Sequence, residues 1–315
     1  MQKISITFIL FLFCFQLFAQ IDSTNIAFVA YWEEGDTYDY KITKTKQKWK
    51  KSELIENNVQ SYQIKFFVLK STPTSYTIKW TYENDLGSNL NLSKDILKKL
   101  SKYNNIDIIY KTSETGVFQE IVNWKEVSKL YKNMFDDIIN SYAQGEKAKE
   151  LREALTPLKN IYNSKEGVEQ LILKEIQYFH FPMGLEFETK EIIEFEDEIP
   201  NMLGGSPIKA DAKLFFEKVD TDESFCVFKH QMTLDKDDTM RVLGEVFAKM
   251  NLKDKEVEKA VKDAVFSIED KNTFEYFYYP GIPSKIETIR ESNIQVSNEF
   301  AKRIEKIEIE LITND

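Results

Sequence analysis

The sequence predicts an α+β protein built on curved antiparallel sheet covered by amphipathic helices. Three observations carry this: long runs alternating polar and apolar residues, a central block of helical periodicity, and alternating runs again after it. Boundaries follow from the same pattern. Residues 27–122 read as β-rich, 123–180 as a helical insert, and 181–315 as β-rich with two helices, all within one body spanning 20–315.

Tyr76, Ile78, Trp80 and Tyr82 alternate with Thr77, Lys79, Thr81 and Glu83, the pattern of a strand with one dry and one wet face. Tyr62, Ile64, Phe66 and Val68 precede it across the turn-like Ser71-Thr72-Pro73-Thr74, so the two form a hairpin. Tyr38 to Lys50 is lysine-rich and reads as an outer edge strand, because lysines discourage pairing with other chains. Leu92, Ile96, Leu97 and Leu100 mark a short amphipathic helix. Ile106–Tyr110 and Val117–Ile121 form a second hairpin.

Asn123 and Glu126 are spaced as a capping box. Behind them Trp124, Val127, Leu130, Tyr131, Met134, Phe135, Ile138 and Ile139 recur at helical spacing. A second helix runs to about Leu155, where Pro157 kinks or restarts it, and a third covers Lys165 to Ile176. Strands return at Glu186–Ile199, Ile208–Val219 and Phe225–Leu234. Helices are expected at Thr239–Met250 and Lys255–Ile268, then strands at Asn272–Tyr279, Lys285–Glu291 and Ile304–Ile312.

The N-terminus places Lys3 before an apolar run from Ile4 to Phe18 and a small residue, Ala19, which is the plan of a cleavable export signal covering 1–19. The run is short for a bilayer span of about 20 residues. Cys14 follows the large Phe13, which disfavours lipid attachment. Removing the signal takes one lysine and changes the net charge from −10 to −11, ill suited to nucleic acid. Localisation is therefore read as periplasmic or secreted, with no transmembrane segment in the mature form. Cys226 is then the only cysteine, so no intrachain disulfide forms; with Phe228, His230, Met232 and Leu234 it occupies one apolar side of a strand and reads as a buried thiol.

Catalytic chemistry finds little footing. His180 and His230 are the two histidines, both in apolar surroundings, and no spacing builds a metal site. Gly204-Gly205-Ser206-Pro207 is a poor nucleophile turn, since Pro207 lacks the backbone N–H an oxyanion hole uses. Asp235-Lys236-Asp237-Asp238 has Met240 and Val246 where a calcium loop needs glycine and glutamate, so these acids read as a helix cap. No cofactor is implied. Aromatic residues are the surplus: Phe274, Tyr276 and Tyr278 lie on one side of a strand, Phe277 and Tyr279 on the other, which asks for cover on both faces. Should the sheet form a cleft, Tyr276, Tyr278, His230 and Trp80 are assigned to its lining.

Gly35-Asp36-Thr37-Tyr38-Asp39-Tyr40, Thr115-Gly116-Val117-Phe118 with Asn123-Trp124, and Gly204-Gly205-Ser206-Pro207 resemble a group of uncharacterised exported proteins of Gram-negative bacteria. With Gly281-Ile282-Pro283 heading a late strand, the layout is similar to periplasmic lipoprotein carriers. That resemblance implies a curved sheet around acyl chains and transfers no site residues. The functional expectation is a non-enzymatic exported protein that binds an apolar small molecule or an envelope protein. The alternatives are a carboxylate-based glycan hydrolase and a structural or assembly component of the envelope.

Overall fold

The computed structural model describes residues 25–83, 98–141, 146–172, 174–199, 207–249, 265–296 and 299–313. The export signal, most of the 92–100 helix, the Gly204-Gly205-Ser206 turn and residues 250–264 lie outside them. Among the described residues strand outweighs helix by about two to one, which corrects the α+β expectation: the protein is mostly β, and helices do not cover the sheet.

In chain order the elements are β1 (Asn25–Ala27), β2 (Thr37–Lys50), β3 (Glu53–Thr72), β4 (Ser75–Glu83), β5 (Asn105–Ser113) and β6 (Phe118–Ile121). Four helices follow: α1 (Trp124–Ser141), α2 (Glu146–Ile161), α3 (Lys165–Ile172) and α4 (Lys174–Phe179). Then come β7 (Glu186–Glu188), β8 (Ile193–Ile199), β9 (Ile208–Asp220), β10 (Phe225–Leu234), α5 (Lys236–Lys249), β11 (Val265–Phe277), β12 (Ile282–Val296) and β13 (Glu299–Leu311).

Eleven strands form one antiparallel sheet in the order β6-β5-β4-β3-β2-β13-β12-β11-β10-β9-β8, and β1 pairs with β7 separately. Two meanders, β2 to β6 and β8 to β13, are thus joined where the last strand pairs with the first long one, from Ala301↔Lys50 to Leu311↔Tyr40. β2 is therefore central, not an edge. Two of its lysines are met by one acid on a neighbouring strand: Glu56 of β3 lies 3.6 Å from Lys46 and 2.5 Å from Lys48. The edges are β6 and β8.

Other expectations change locally. Glu186–Ile199 divides, β7 leaving to pair with β1. Val265–Ile268 is strand rather than helix because its backbone pairs with β12, from Val265↔Gln295 to Ile268↔Ser292. Asn123 precedes α1, but its side chain is tied to β5, its Oδ1 accepting from Ile109 N at 2.8 Å and its Nδ2 donating to Asp107 O at 2.9 Å. Pro157 sits inside α2 without ending it. Asp235 caps α5 as expected, accepting from Asp238 N at 2.7 Å.

The core explains the sheet's shape. Strand side chains stand roughly perpendicular to a sheet. β4 and β11 are five neighbours apart, about 24 Å if flat at ~4.8 Å per strand. Yet Phe179, at the end of α4, meets Trp80 of β4 at 5.4 Å between ring centroids, and its carbonyl accepts from Tyr276 of β11 at 3.2 Å. Trp32 likewise packs on Phe66 of β3 at 5.0 Å and donates to Gly281 O, before β12, at 3.1 Å. Both meetings require a sheet bent into a trough around a plug made of residues 26–32 and 176–183.

The plug's buried rings, Phe28, Trp32, Phe179 and His180, are set among Ile26, Ala30, Ile176 and Met183. Phe28 touches Phe216, Phe228 and Tyr276 on β9, β10 and β11. His180 bridges to β5: its Nε2 lies 2.8 Å from the Tyr110 hydroxyl and its Nδ1 2.8 Å from Gly116 O. Because a carbonyl only accepts, Nδ1 carries the proton and Nε2 accepts from the tyrosine. Tyr40, Tyr110 and Tyr276 are fully buried, and all three hydroxyls are pushed well above the ordinary phenol range, mainly by burial.

Candidate ligand site on the concave face

The register permits the concave face to be read row by row across β3, β2, β13 and β12. Closest to the plug lies the apolar row Tyr62, Ile42, Ile309, Ile286. Next come Gln60, Lys44, Ile307, Thr288, then Asn58, Lys46, Glu305, Arg290, then Glu56, Lys48, Arg303, Ser292. At the mouth, Lys50, Ala301 and Ile294 close the series. The face therefore passes from packed core, through a charged band, to a partly apolar rim.

The charged band is tightly paired where it is buried. Glu175 of α4 is 4% exposed in its side chain, forms an ion pair with Lys44 and accepts from the Tyr62 hydroxyl at 3.0 Å. That carboxylate and burial hold the Tyr62 phenol protonated far above its ordinary range, burial being the larger cause. Asp270 of β11 takes a two-pronged bond from Arg290 of β12, Nε to Oδ1 at 2.7 Å and Nη2 to Oδ2 at 2.5 Å. Lys174, beside Glu175 on α4, has its basicity lowered by the surrounding protein and, next, by Arg290.

Two hollows lie on this face. The inner one, about 330 Å3, is lined by Lys44, Lys46, Lys174, Asn58, Gln60 and Glu305 among others. The outer one, about 350 Å3, is bounded by Ile55, Ile294, Phe300 and Ala301 with Lys48 and Arg303. The inner one reaches the row of Lys46 and Glu305, and the outer one begins at the next row, that of Lys48 and Arg303. A larger depression of about 610 Å3 lies between Glu194, Lys213, Gln231 and Lys271 on one side and Glu196, Asp211, Thr233 and Glu269 on the other. Those residues alternate with the buried Ala212, Met232 and Asp270, so this is a channel between side-chain rows on the solvent face.

The residues assigned to a cleft from sequence are dispersed. Tyr276 and Trp80 are fully buried under the plug, Tyr276 against Phe28 at 5.4 Å and Trp80 against Phe179. Tyr278 lies in the turn after β11, its N–H donating to Ser224 O. His230 is buried between Phe181 at 5.0 Å and Phe195 at 6.2 Å, its Nδ1 3.2 Å from Asn272 Nδ2; burial lowers its basicity against the opposing charges of Asp197 and Asp270. The aromatic surplus of β11 needs no second cover, for Phe277 packs beside Phe225 at 5.3 Å while Tyr279 projects from the turn against Tyr31. Cys226 is buried, its thiol pushed up to about 12 by burial. Among the described residues no group of three or more His, Cys, Asp or Glu could hold a metal ion, and no helix is long and apolar enough to cross a membrane.

Sequence reading missed the lysines of β2, whose abundance reads as the mark of an outer edge strand. It also missed Lys174. No known protein family and no curated protein matches the chain. Among solved structures, one similar chain is Ail, the attachment invasion locus protein of Yersinia pestis, at 4% identity over 89% of this chain and 100% of that one, with a TM-score of 0.15. A superposition that poor carries no argument about shape or activity.

Proposed function

We propose that this is a non-enzymatic binding protein that takes an apolar ligand into the open half of the trough. The outer hollow carries the reading: Ile55 and Ile294 are 58% and 37% exposed at its wall, on the same face whose other end is closed by the packed plug. A compartment outside the cytoplasm goes with this reading on the strength of the 1–19 signal pattern. The resemblance to periplasmic lipoprotein carriers supports the same use of a bent sheet. The hydrolase alternative asks for two carboxyls facing each other across an open groove. The buried carboxylates of this face, Glu175 and Asp270, are instead tied to Lys44 and Arg290.

Native mass spectrometry of the protein isolated from its own cells tests the proposal, followed by titration with a fluorescent alkyl probe. A retained lipophilic mass and saturable probe binding are expected, with both lost in Ala301→Trp, which fills the outer hollow from an exposed position. Equal binding by that variant, or no binding of alkyl probes by the wild type, refutes the reading.

A partner-docking reading is favoured by one separate observation. Tyr31 and Tyr279, 52% and 62% exposed, lie with ring centroids 5.2 Å apart at the closed end. Their loops are tied to those of the exposed Val117 and Leu185 by Ala30 N to Thr115 O and Phe28 N to Leu185 O bonds. Photo-crosslinking from position 279 in intact cells checks it; a single defined adduct supports docking, and none opposes it.

A further inference from the structure

We infer that the ligand carries an acidic head group and one long alkyl chain, the head bound by Lys174 in the inner hollow and the chain running along β2 toward Ala301 and Ile294. This rests on the binding function proposed above and names its ligand class.

Charge within the trough is the first argument. The chain as a whole carries −10. The rows from Lys44 to Lys48, with α4 and Asp270 facing them, hold six cations (Lys44, Lys46, Lys48, Lys174, Arg290, Arg303) against four acids (Glu56, Glu175, Asp270, Glu305). All four acids are already engaged: Glu175 by Lys44, Asp270 by Arg290, Glu305 by Arg303, and Glu56 by Lys48, with Lys46 more distant at 3.6 Å. Among the described residues Lys174 has no acid within ion-pair distance. A negatively charged protein has thus gathered a local positive excess on the one face that is partly shielded from solvent, where a charge pair is screened less than on an open surface.

Geometry supplies the second. Lys174 lines the inner hollow with the amide side chains of Asn58 and Gln60, so an anion there meets an ammonium and amide donors together. Its lowered basicity comes from the enclosing protein and from Arg290, and an arriving anion offsets both. From the row of Lys44 to that of Lys50 is six residues, about 20 Å at ~3.3 Å per residue. An extended dodecyl chain covers most of this distance past Lys48, whose aliphatic stem is itself apolar, and points toward Ile294, Ala301 and Phe300.

Calorimetric titration of the full chain, stripped of co-purified lipid, with dodecanoate, dodecyl phosphate, dodecanol and dodecyltrimethylammonium decides the matter. One or both acids should bind at least about tenfold more tightly than the alcohol, as a charge-assisted bond in a half-shielded site gives, and the cation most weakly. The carboxylate and phosphate arms show which acid is preferred. Lys174→Gln, at an exposed residue of α4, should reduce acid binding to the level of the alcohol. If dodecanol binds as tightly as both acids, or the Gln variant keeps the preference, the head-group assignment is overturned and the apolar-binding function stands. If no alkyl probe binds, both fall.

Discussion

His180 should make this protein lose stability between pH 6.5 and 4, well before its carboxylates titrate fully. The imidazole is buried against Trp32, Phe179 and Tyr110, and its basicity is lowered to about 4, chiefly by burial and despite the opposing bond to Gly116 O. In the unfolded chain the ring takes a proton near its ordinary value of about 6.5. Across that window unfolding therefore takes up a proton that the folded ring refuses, so stability is whole above about 6.5 and falls as pH drops toward 4. At about 1.4 kcal/mol per unit of separation the loss attributable to this ring is about 3 kcal/mol. Urea unfolding from pH 7 to 4.5 measures it. His180→Gln can keep both neutral bonds, an amide N–H to Gly116 O and an amide oxygen to the Tyr110 hydroxyl, so the slope should flatten by most of that amount. His230 shifts in the same direction and contributes its own share, which His230→Gln isolates. With only two histidines in the chain, NMR assigns both rings directly. A His180 titrating near 6.5, or an unchanged slope in His180→Gln, refutes the reasoning.

Asp270→Asn leaves the Arg290 guanidinium without its carboxylate; because Arg290 is partly open to solvent, the expected loss is about 2–3 kcal/mol rather than that of a fully buried pair, read as a lower urea midpoint. Two glycines with the same left-handed backbone should respond unequally to alanine. Gly35→Ala (φ 98°) meets nothing within 4 Å and should lose only about 1 kcal/mol. Gly281→Ala (φ 91°) puts its Cβ 2.6 Å from Val29 O, forcing the plug away from the β11–β12 turn, and should lose roughly 3 kcal/mol or more by thermal or urea unfolding. Equal losses at the two sites would show that the turn, not the plug contact, sets the effect.

Period-two alternation was enough to place most strands, because one face of the sheet is buried and a slip by one residue exposes the whole apolar set. Phe225–Leu234 matches β10 to the residue for this reason. Centre and edge were not legible: lysines on a strand mark an edge only if neighbouring strands lack acids, and Glu56 on β3 is visible as a partner only once register is known. Val265–Ile268 looked helical because short apolar runs do not distinguish the two periods. The fold class failed for a related reason. The helices are present, but α1 packs by Val127, Phe135 and Ile139 at the β5 side, while the middle of the sheet is covered by a plug of irregular chain and the end of α4, a helix of six residues too short for its period to be read. That plug turned Trp80 and Tyr276 into core residues, since the rings that bury them come from Phe28 and Phe179, far away in sequence.

The same plug links the packed end of the trough to its open end. Phe179 and Lys174 belong to one short helix, α4, whose C-terminal residue is clasped by Trp80, Phe66 and Tyr40 and by the Tyr276 hydroxyl. Fixing Phe179 fixes the direction of α4, and the Glu175 pair with Lys44 fixes its other end to β2, so Lys174 is held over the rows that line the inner hollow. Tyr276 also helps set the bend of the sheet, because it draws β11 to the residue that β4 already touches. Two of the residues that sequence reading assigned to ligand contact, Trp80 and Tyr276, therefore act on the proposed site at a distance. They hold the curvature that brings cationic rows and an apolar rim onto one concave surface, and the contact proposed above falls to side chains of a type that alternation alone consigns to solvent.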